Sequence, residues 1–364
     1  MECSIASSCN DAEIRKILNN NPVPGHVSLV YAKNPSYFQA AMIGNQDTKT
    51  LVIKNDSEKI IAFQTTATRR VYCNGRAVTI GYLSNLRMDK NYKGKGLLKE
   101  GFEFLKQVHS QIKVPFYFST IISGNNSAAN TLTRHRDGGL HFIDYGNYLT
   151  KAIIIFNKKY KLSNDYRIIR GNKDNLPEIV NFLNSEGGKK NLFPCYTEND
   201  FTEKNILKDF NINDFYLAIK NNVLAGVIGK WDQSSFKQNS IDSYNGAYSI
   251  LHPVYNILAN TLNLPRMPKR GEQIQFIYTC FIAIKENDPK IFLDLLKAVY
   301  NDLAGSNNLF LMVGLHEKDG LRESLKKFIG LAYKSNLFIN YWEKPDGFNI
   351  GRDTNIPYLE LATL

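Results

Sequence analysis

Residues 88–98 read MDKNYKGKGLL. Beyond the glycines, apolar side chains recur at Leu97, Leu98, Phe102, Leu105 and Val108, a spacing that predicts a helix over 97–112. On the N-terminal side, Ala77–Met88 predicts a strand that leaves a hairpin turn at Asn74-Gly75. Between strand and helix lies Lys93-Gly94-Lys95-Gly96. The first turn of a helix has backbone N–H groups without internal partners, and its dipole end is positive. Glycine lets a ligand approach the backbone closely, and lysine adds charge. Strand, glycine-bearing loop and helix N-terminus together make a phosphate or pyrophosphate cradle. The GxxxxGK[ST] spacing of a P-loop is missing, and Lys99 stands where a dinucleotide fingerprint needs its third glycine.

The rest of the chain sets the frame for this loop. Its 364 residues suffice for about two domains. With 43% hydrophobic and 22% charged residues it can bury ordinary cores, so disorder is not the expectation. The formal charge of +11 suits an anionic partner. The lysines are spread along the chain and no dense aromatic-basic motif occurs, which disfavours nucleic acid. Five cysteines without CxxC spacing point to free thiols in a reducing compartment. The histidines, including the neighbouring His135 and His141, form no ligand pattern, so no metal is expected. The N-terminus lacks the apolar core of a secretory signal, and no apolar run approaches the roughly 20 residues that span a bilayer. A soluble, cytoplasmic protein is the expectation, with its oligomeric state open.

The chain echoes itself. Glu13-Ile14-Arg15-Lys16-Ile17-Leu18-Asn19 is matched by Glu178-Ile179-Val180-Asn181-Phe182-Leu183-Asn184, and Ile53-Lys54-Asn55 by Ile219-Lys220-Asn221. Each half reads as helix, strand, turn, strand, then strand–loop–helix–strand–helix–strand. In the first half the helix Asp11–Asn19 has Asp11 as its cap, and strands are expected at Thr50–Lys54, Ile60–Arg69, Pro115–Ile122, Phe142–Leu149 and Ala152–Phe156. A short helix is expected over Ser127–His135. In the second half, strands are expected at Arg167–Arg170, Tyr216–Lys220, Val223–Lys230, Ile274–Ile284, Leu309–Leu315, Leu337–Trp342 and Tyr358–Leu361. Helices are expected at Leu176–Asn184, Ile291–Leu303 and Leu321–Ile329. The polar stretch Asn157–Asp165 is the expected linker, giving domains at 1–156 and 166–364. The element order implies α+β domains with helices on a mixed, mostly antiparallel sheet.

The run from Tyr82 to Leu98 resembles the fourth strand and Arg/Gln-x-x-Gly-x-Gly/Ala loop of the GNAT superfamily of acyl-CoA N-acyltransferases. Lys93 falls at the Arg/Gln position, Gly96 at the first glycine and Leu98 at the Gly/Ala position. Lysine keeps the charge of arginine without its planar fork, and leucine at 98 narrows the approach to the pyrophosphate. Downstream, Asn126, Ala129 and Leu132 fit the family's Asn-x-x-Ala-x-x-Leu-Tyr, with Thr133 in place of the tyrosine. The resemblance implies two tandem GNAT-like domains and an acyl-CoA cosubstrate, expected to be acetyl-CoA, used to acylate an amine. It implies cofactor contacts from Leu86, Arg87, Met88, Lys93, Gly94, Lys95, Gly96, Leu97, Leu98 and Asn126. Asn126 serves equally as a helix N-cap. The matching loop of the second half, Lys285-Glu286-Asn287-Asp288-Pro289-Lys290, has no glycine and two acids, so that half is expected not to bind CoA.

Amine acylation needs a base, a donor to the carbonyl oxygen and an acid for the thiolate. No first-half carboxylate stands out as base. Tyr145 and Tyr82 are the candidate catalytic side chains, beside His135, with Ser119 and Thr120 as polar lining. The apolar tail Pro357 to Leu364 would carry a terminal carboxylate toward the site, as in some multidomain relatives. Trp231, His316 and Asn340 mark strand ends that serve equally as an acceptor wall, as ordinary strand-end caps or as surface ion pairs. The alternative is a GNAT-like module that binds CoA or a protein without catalysis.

Overall fold

A computed structural model describes residues 1–92, 94–134, 138–203, 206–262, 264–345 and 355–364. The first half runs β1 (Glu2–Ile5), α1 (Asp11–Asn19), β2 (Val27–Ala32), α2 (Tyr37–Met42), β3 (Asp47–Lys54), β4 (Ile60–Cys73), β5 (Arg76–Met88), α3 (Leu97–Ile112), β6 (Tyr117–Ile122), α4 (Asn126–Leu132) and β7 (His141–Ile154). The second runs β8 (Arg167–Arg170), α5 (Leu176–Phe182), α6 (Glu198–Thr202), β9 (Phe215–Lys220), β10 (Val223–Trp231), β11 (Gln238–Tyr244), α7 (Ala247–Leu262), β12 (Phe276–Ile284), α8 (Pro289–Leu303), β13 (Phe310–His316), α9 (Arg322–Leu325) and β14 (Gly330–Tyr341).

Among the described residues one twelve-stranded sheet passes through both halves, in the order β1-β3-β4-β5-β6-β14-β7-β13-β12-β10-β9-β8. It is α+β and mostly antiparallel, with helices on its faces. Two strands change places at the centre. β7 lies between β14 and β13, and β14 lies between β6 and β7. Each half therefore completes the sheet of the other, and the core runs without a seam from Phe116 and Phe118 to Leu311 and Val313. β2 and β11 form a separate two-stranded ribbon that joins the halves a second time.

The sheet contains two parallel contacts, one per half. β5 and β6 pair only at Gly81–Tyr117 and Tyr82–Phe118. β12 and β13 pair only at Phe276–Phe310, Ile277–Leu311 and Tyr278–Met312. Beyond these short contacts the strands of each pair diverge. Gly81 is required at the first fork, because a Cβ there would stand 1.9 Å from the Tyr117 ring. A helix follows each fork strand, α3 and α8, and both pack an apolar face on the sheet. The sequence echoes fall at corresponding places, in α1 and α5 and at the ends of β3 and β9.

Several elements differ from the sequence reading. The strand expected at Ile60–Arg69 runs on to Cys73, and the two strands expected at Phe142–Leu149 and Ala152–Phe156 are one, β7. The helix expected at Leu321–Ile329 shortens to α9, and β14 begins at Gly330. Tyr358–Leu361 is not a strand. Its side chains bond the neighbouring strand β12 directly, and it ends in a 3-10 turn at Leu361–Thr363. Asp11 is not the cap of α1. Its carboxylate accepts instead from the Tyr37 N–H at 2.8 Å and from Arg15 Nε at 2.6 Å, tying α2 to α1.

Candidate active site

The fork between β5 and β6 opens into a cavity of about 330 Å³. Leu83 to Arg87 form one wall, and Ser119 to Ile122 the other. The β2–β11 ribbon covers it through Tyr31 and Asn239, with Lys33 just after β2 and Lys237 just before β11 also lining it. The second half adds Tyr278 and Tyr333.

On β5 the strand bulges. Thr65 is opposite Ser84 and Phe63 opposite Arg87, so Asn85 and Leu86 together face only Gln64 and have no partner in register. Asn85 sits in the left-handed region, φ 55°. A bulge breaks the hydrogen-bond ladder locally and turns backbone groups out of it. Here it does so at the cavity wall.

The second fork carries the same device. Val227 pairs with Ala283 and Gly229 with Cys280, leaving Phe281 and Ile282 out of register, with Phe281 at φ 54°. Both bulges lie three residues before the end of their strand. In the second fork the chain itself fills the space. The Phe281 N–H donates to a Glu360 carboxylate oxygen at 2.8 Å, and the Ile282 N–H to the Tyr358 hydroxyl at 3.2 Å. Tyr358 in turn donates to Glu360 at 2.8 Å. Burial pushes the Glu360 carboxyl up to about 7. From there the segment crosses to the first fork, where Leu361 and Leu364 line the cavity.

The cavity wall is cationic. Lys33, Arg87 and Lys237 line it, and among the described residues no Asp or Glu does. Burial, then the charges of Lys33 and Arg69, push the Lys237 ammonium down to about 7. Burial, then Arg87 and Arg69, push Lys33 down to about 8. Lys237 Nζ donates at 2.9 Å to the main-chain oxygen of Leu364, the tail residue expected to bring a carboxylate to the site. Arg87 Nε and Asn239 Oδ1 are buried without a hydrogen-bond partner among the described residues. Orphan polar atoms of this kind are rare in folded proteins. They are suited to a polar ligand.

Just beyond this same end of β5, Gly94 and Gly96 both have φ 81°, and Gly96 is the N-cap of α3. A Cβ on either would meet no described protein atom, so the space over this backbone is open. Lys95 Nζ lies 4.7 Å from the centre of the Tyr92 ring. Leu97 is buried against β3 and β4, and Met88 packs beside it. Leu98 lines a small apolar cavity between α3 and the sheet, with Leu86 and Phe102. Lys93 and His135 lie outside the described residues.

The candidate tyrosines separate. Tyr82 lines the cavity, its ring stacked on Phe118 at 4.5 Å with the Arg69 guanidinium 4.3 Å away. Burial raises the pKa of its hydroxyl. Tyr145 is not among the lining residues. It is buried in the main core, and its hydroxyl accepts from Asn191 Nδ2 at 3.2 Å. The bulge of β7 near Gly146 changes the facing of that strand, and Tyr148 lines the cavity in its place. The cap of α4 is Asn125, whose side chain accepts from the Ala128 N–H at 3.3 Å and lines the cavity. Asn126, the expected residue, is exposed. Ser119 and Thr120 do line the cavity, whereas Trp231, His316 and Asn340 do not. Asn239 and the flanking Lys33 and Lys237 went unread because the ribbon strands, VSLVYA and QNSIDSY, carry neither a strong apolar alternation nor a motif.

Among the described residues no cluster of His, Cys, Asp or Glu could hold a metal ion, and no helix is long and apolar enough to cross a membrane. No family model matches the chain, and no curated protein matches it. Solved structures do. N-myristoyltransferase of Saccharomyces cerevisiae with bound myristoyl-CoA superposes with a TM-score of 0.62 at 11% identity, over 94% of this chain and 80% of that one. A GCN5-related N-acetyltransferase from Sphaerobacter thermophilus gives 0.53 at 10% identity, over 86% and 83%. One from Anabaena variabilis gives 0.51 at 10%, over 94% and 73%. The fold is GNAT-like.

Proposed function

We propose that this protein is an acyl-CoA-dependent N-acyltransferase that acylates a primary amine, with acetyl-CoA as its donor. The observation that carries the reading is the bulge at Asn85 and Leu86, set in the wall of an open cavity. Its twin at Phe281 and Ile282 holds a carboxylate oxygen, so the same backbone bend can hold the oxygen of a polarised thioester. The GNAT-like fold supports a CoA thioester as the ligand.

In this reading residues 1–156 bind the donor and residues 166–364 have no donor site. The open backbone at Gly94 and Gly96 and the N-terminus of α3 take the pyrophosphate. Arg87 and Met88 border the path of the pantetheine arm along β5, and Leu86 its acyl end. The thioester carbonyl lies at the bulge. The cationic wall disfavours a further positive charge, so the acceptor enters as the neutral amine. Lys237, with a pKa near the working pH, takes the proton the nitrogen sheds. The nitrogen bonds to the carbonyl carbon, the carbon–sulfur bond breaks, and CoA leaves as the thiolate. Tyr82, kept protonated by burial, supplies its proton.

The test is amine-dependent release of CoA thiol from acetyl-CoA and longer acyl-CoAs across an amine panel, with the product identified by mass. Release that requires both substrates is expected. Tight CoA binding without transfer to any amine would instead establish a binding module.

A further inference from the structure

The helix α7 is inside out. Its sequence, AYSILHPVYNILANTL, has no Asp, Glu, Lys or Arg. Ile250 is 71% exposed, Leu251 56%, Val254 50%, Ile257 67% and Leu258 53%. At 100° per residue these five side chains share an arc of about 120°. The polar side chains face the other way. Tyr255 donates to the Pro265 carbonyl at 2.8 Å, Asn256 Nδ2 to the Met267 carbonyl at 2.9 Å, and His252 Nε2 lies 3.1 Å from the Pro268 carbonyl. Tyr244 stacks on His252 at 4.2 Å and donates to the same Pro268 carbonyl. A surface helix of a soluble protein shows the reverse arrangement. A contiguous apolar patch of this kind marks an interaction surface.

The bonds that turn the polar face inward also fix the loop that comes after the helix. That loop carries Arg266, Lys269 and Arg270, all exposed. An uncharged apolar arc with cations tied beside it matches an anionic lipid surface, with side chains for the acyl boundary and charges for the headgroups. A second copy fits less well. Two-fold pairing through this arc would bring both sets of cations together on chains that each carry +11. One arc of a short helix also falls below the roughly 800 Å² per partner of a stable interface. We infer that α7 docks this protein in the plane of an anionic membrane surface, with Ile250, Leu251, Val254, Ile257 and Leu258 inserted and Arg266, Lys269 and Arg270 against lipid phosphates.

The docking element is joined to the cavity wall through β11, whose Asn239 lines the cavity and whose far end leads into α7. The inference stands on the helix alone and does not need the proposed chemistry.

The test is cosedimentation of the full chain with vesicles of phosphatidylcholine alone or with about 30% phosphatidylserine. At least tenfold stronger retention on the anionic vesicles is expected. The pair Ile250→Ser and Ile257→Ser removes it with an unchanged thermal melt, because both side chains are in solvent. Arg266→Gln with Lys269→Gln and Arg270→Gln, or high salt, weakens it by about a hundredfold at most. Leu258→Trp gives a blue-shifted emission on anionic vesicles alone. Absence of retention on both vesicle types overturns the inference. So does a dimer in sedimentation velocity that the serine pair abolishes, which would assign the face to a second copy.

Discussion

Asn85 and Phe281 bend the chain in the same way, at φ 55° and 54°, three residues before the end of a strand that has just parted from its parallel neighbour. Their surroundings differ. Asn85 borders an open, cation-lined cavity. Phe281 packs among Phe201, Phe210, Phe215 and Trp231, and Glu360 caps its amide. One fork is left open and the other is closed by the chain's own tail. A fold can thus retain a backbone device while the side chains around it decide whether anything enters.

The two forks should differ most at the loops beyond their strands. Gly96→Glu places a carboxylate and a strained left-handed residue at the N-cap of α3. Its affinity for CoA in calorimetry is expected to fall at least a hundredfold. Lys290→Glu, at the start of α8, is expected to leave it within twofold. In that second loop Asp288 already caps the helix, accepting from the Lys290 N–H at 2.8 Å. Equal losses from both changes would place the donor elsewhere.

Lys237 tests the open side. Only its neutral form accepts a proton, so kcat/KM is expected to rise with pH through about 7 and then level. Lys237→Met should lower kcat/KM by roughly a hundredfold and abolish that limb. A limb that persists in the variant assigns the base to another group.

Glu360 tests the closed side. Its carboxyl titrates higher when folded, near 7, than the roughly 4.3 of an unfolded chain. The folded state thus holds the proton more tightly. The stability this contributes is complete below about pH 4 and is lost as pH rises toward 7, amounting to roughly 2–4 kcal/mol. Glu360→Gln keeps an acceptor for the Phe281 amide and should flatten the fall in melting temperature across that window. Glu360→Ala orphans the amide, which costs about 1–3 kcal/mol. Neither variant should bind a second CoA. A stoichiometry of two would mean that the tail alone separates the halves.

The sequence reveals more of the frame than of the detail. Leu97, Leu105 and Val108 place α3 at the bounds the structure gives, because a long amphipathic helix repeats its signal over several turns. The glycine loop stands out because few residue types tolerate its backbone. The exchange of β7 and β14 leaves no trace, since each strand pairs with partners distant in sequence and reads the same in either order. Lys33 and Lys237 are scattered lysines until β2 and β11 pair and bring them to one cavity. The helix α7 escapes for a related reason. Its apolar residues predict burial, and the structure turns them outward.

The smallest effect is expected at the helices beyond the second strand of each fork. Asn125 caps α4 with its side chain and also lines the cavity, while Leu321 precedes α9 without a side-chain cap. The open fork has therefore placed one polar side chain at both the helix cap and the cavity wall, and the closed fork has not. Asn125→Ala should cost about 1 kcal/mol in denaturant unfolding, the usual loss of an asparagine cap. It should also raise KM for acyl-CoA a few-fold. Asn126→Ala, one residue further on and exposed, should change stability by less than about 0.5 kcal/mol and leave KM unchanged. If Asn126→Ala raises KM and Asn125→Ala does not, the pantetheine contact belongs to the residue that fits the sequence motif. The cap would then serve the helix alone.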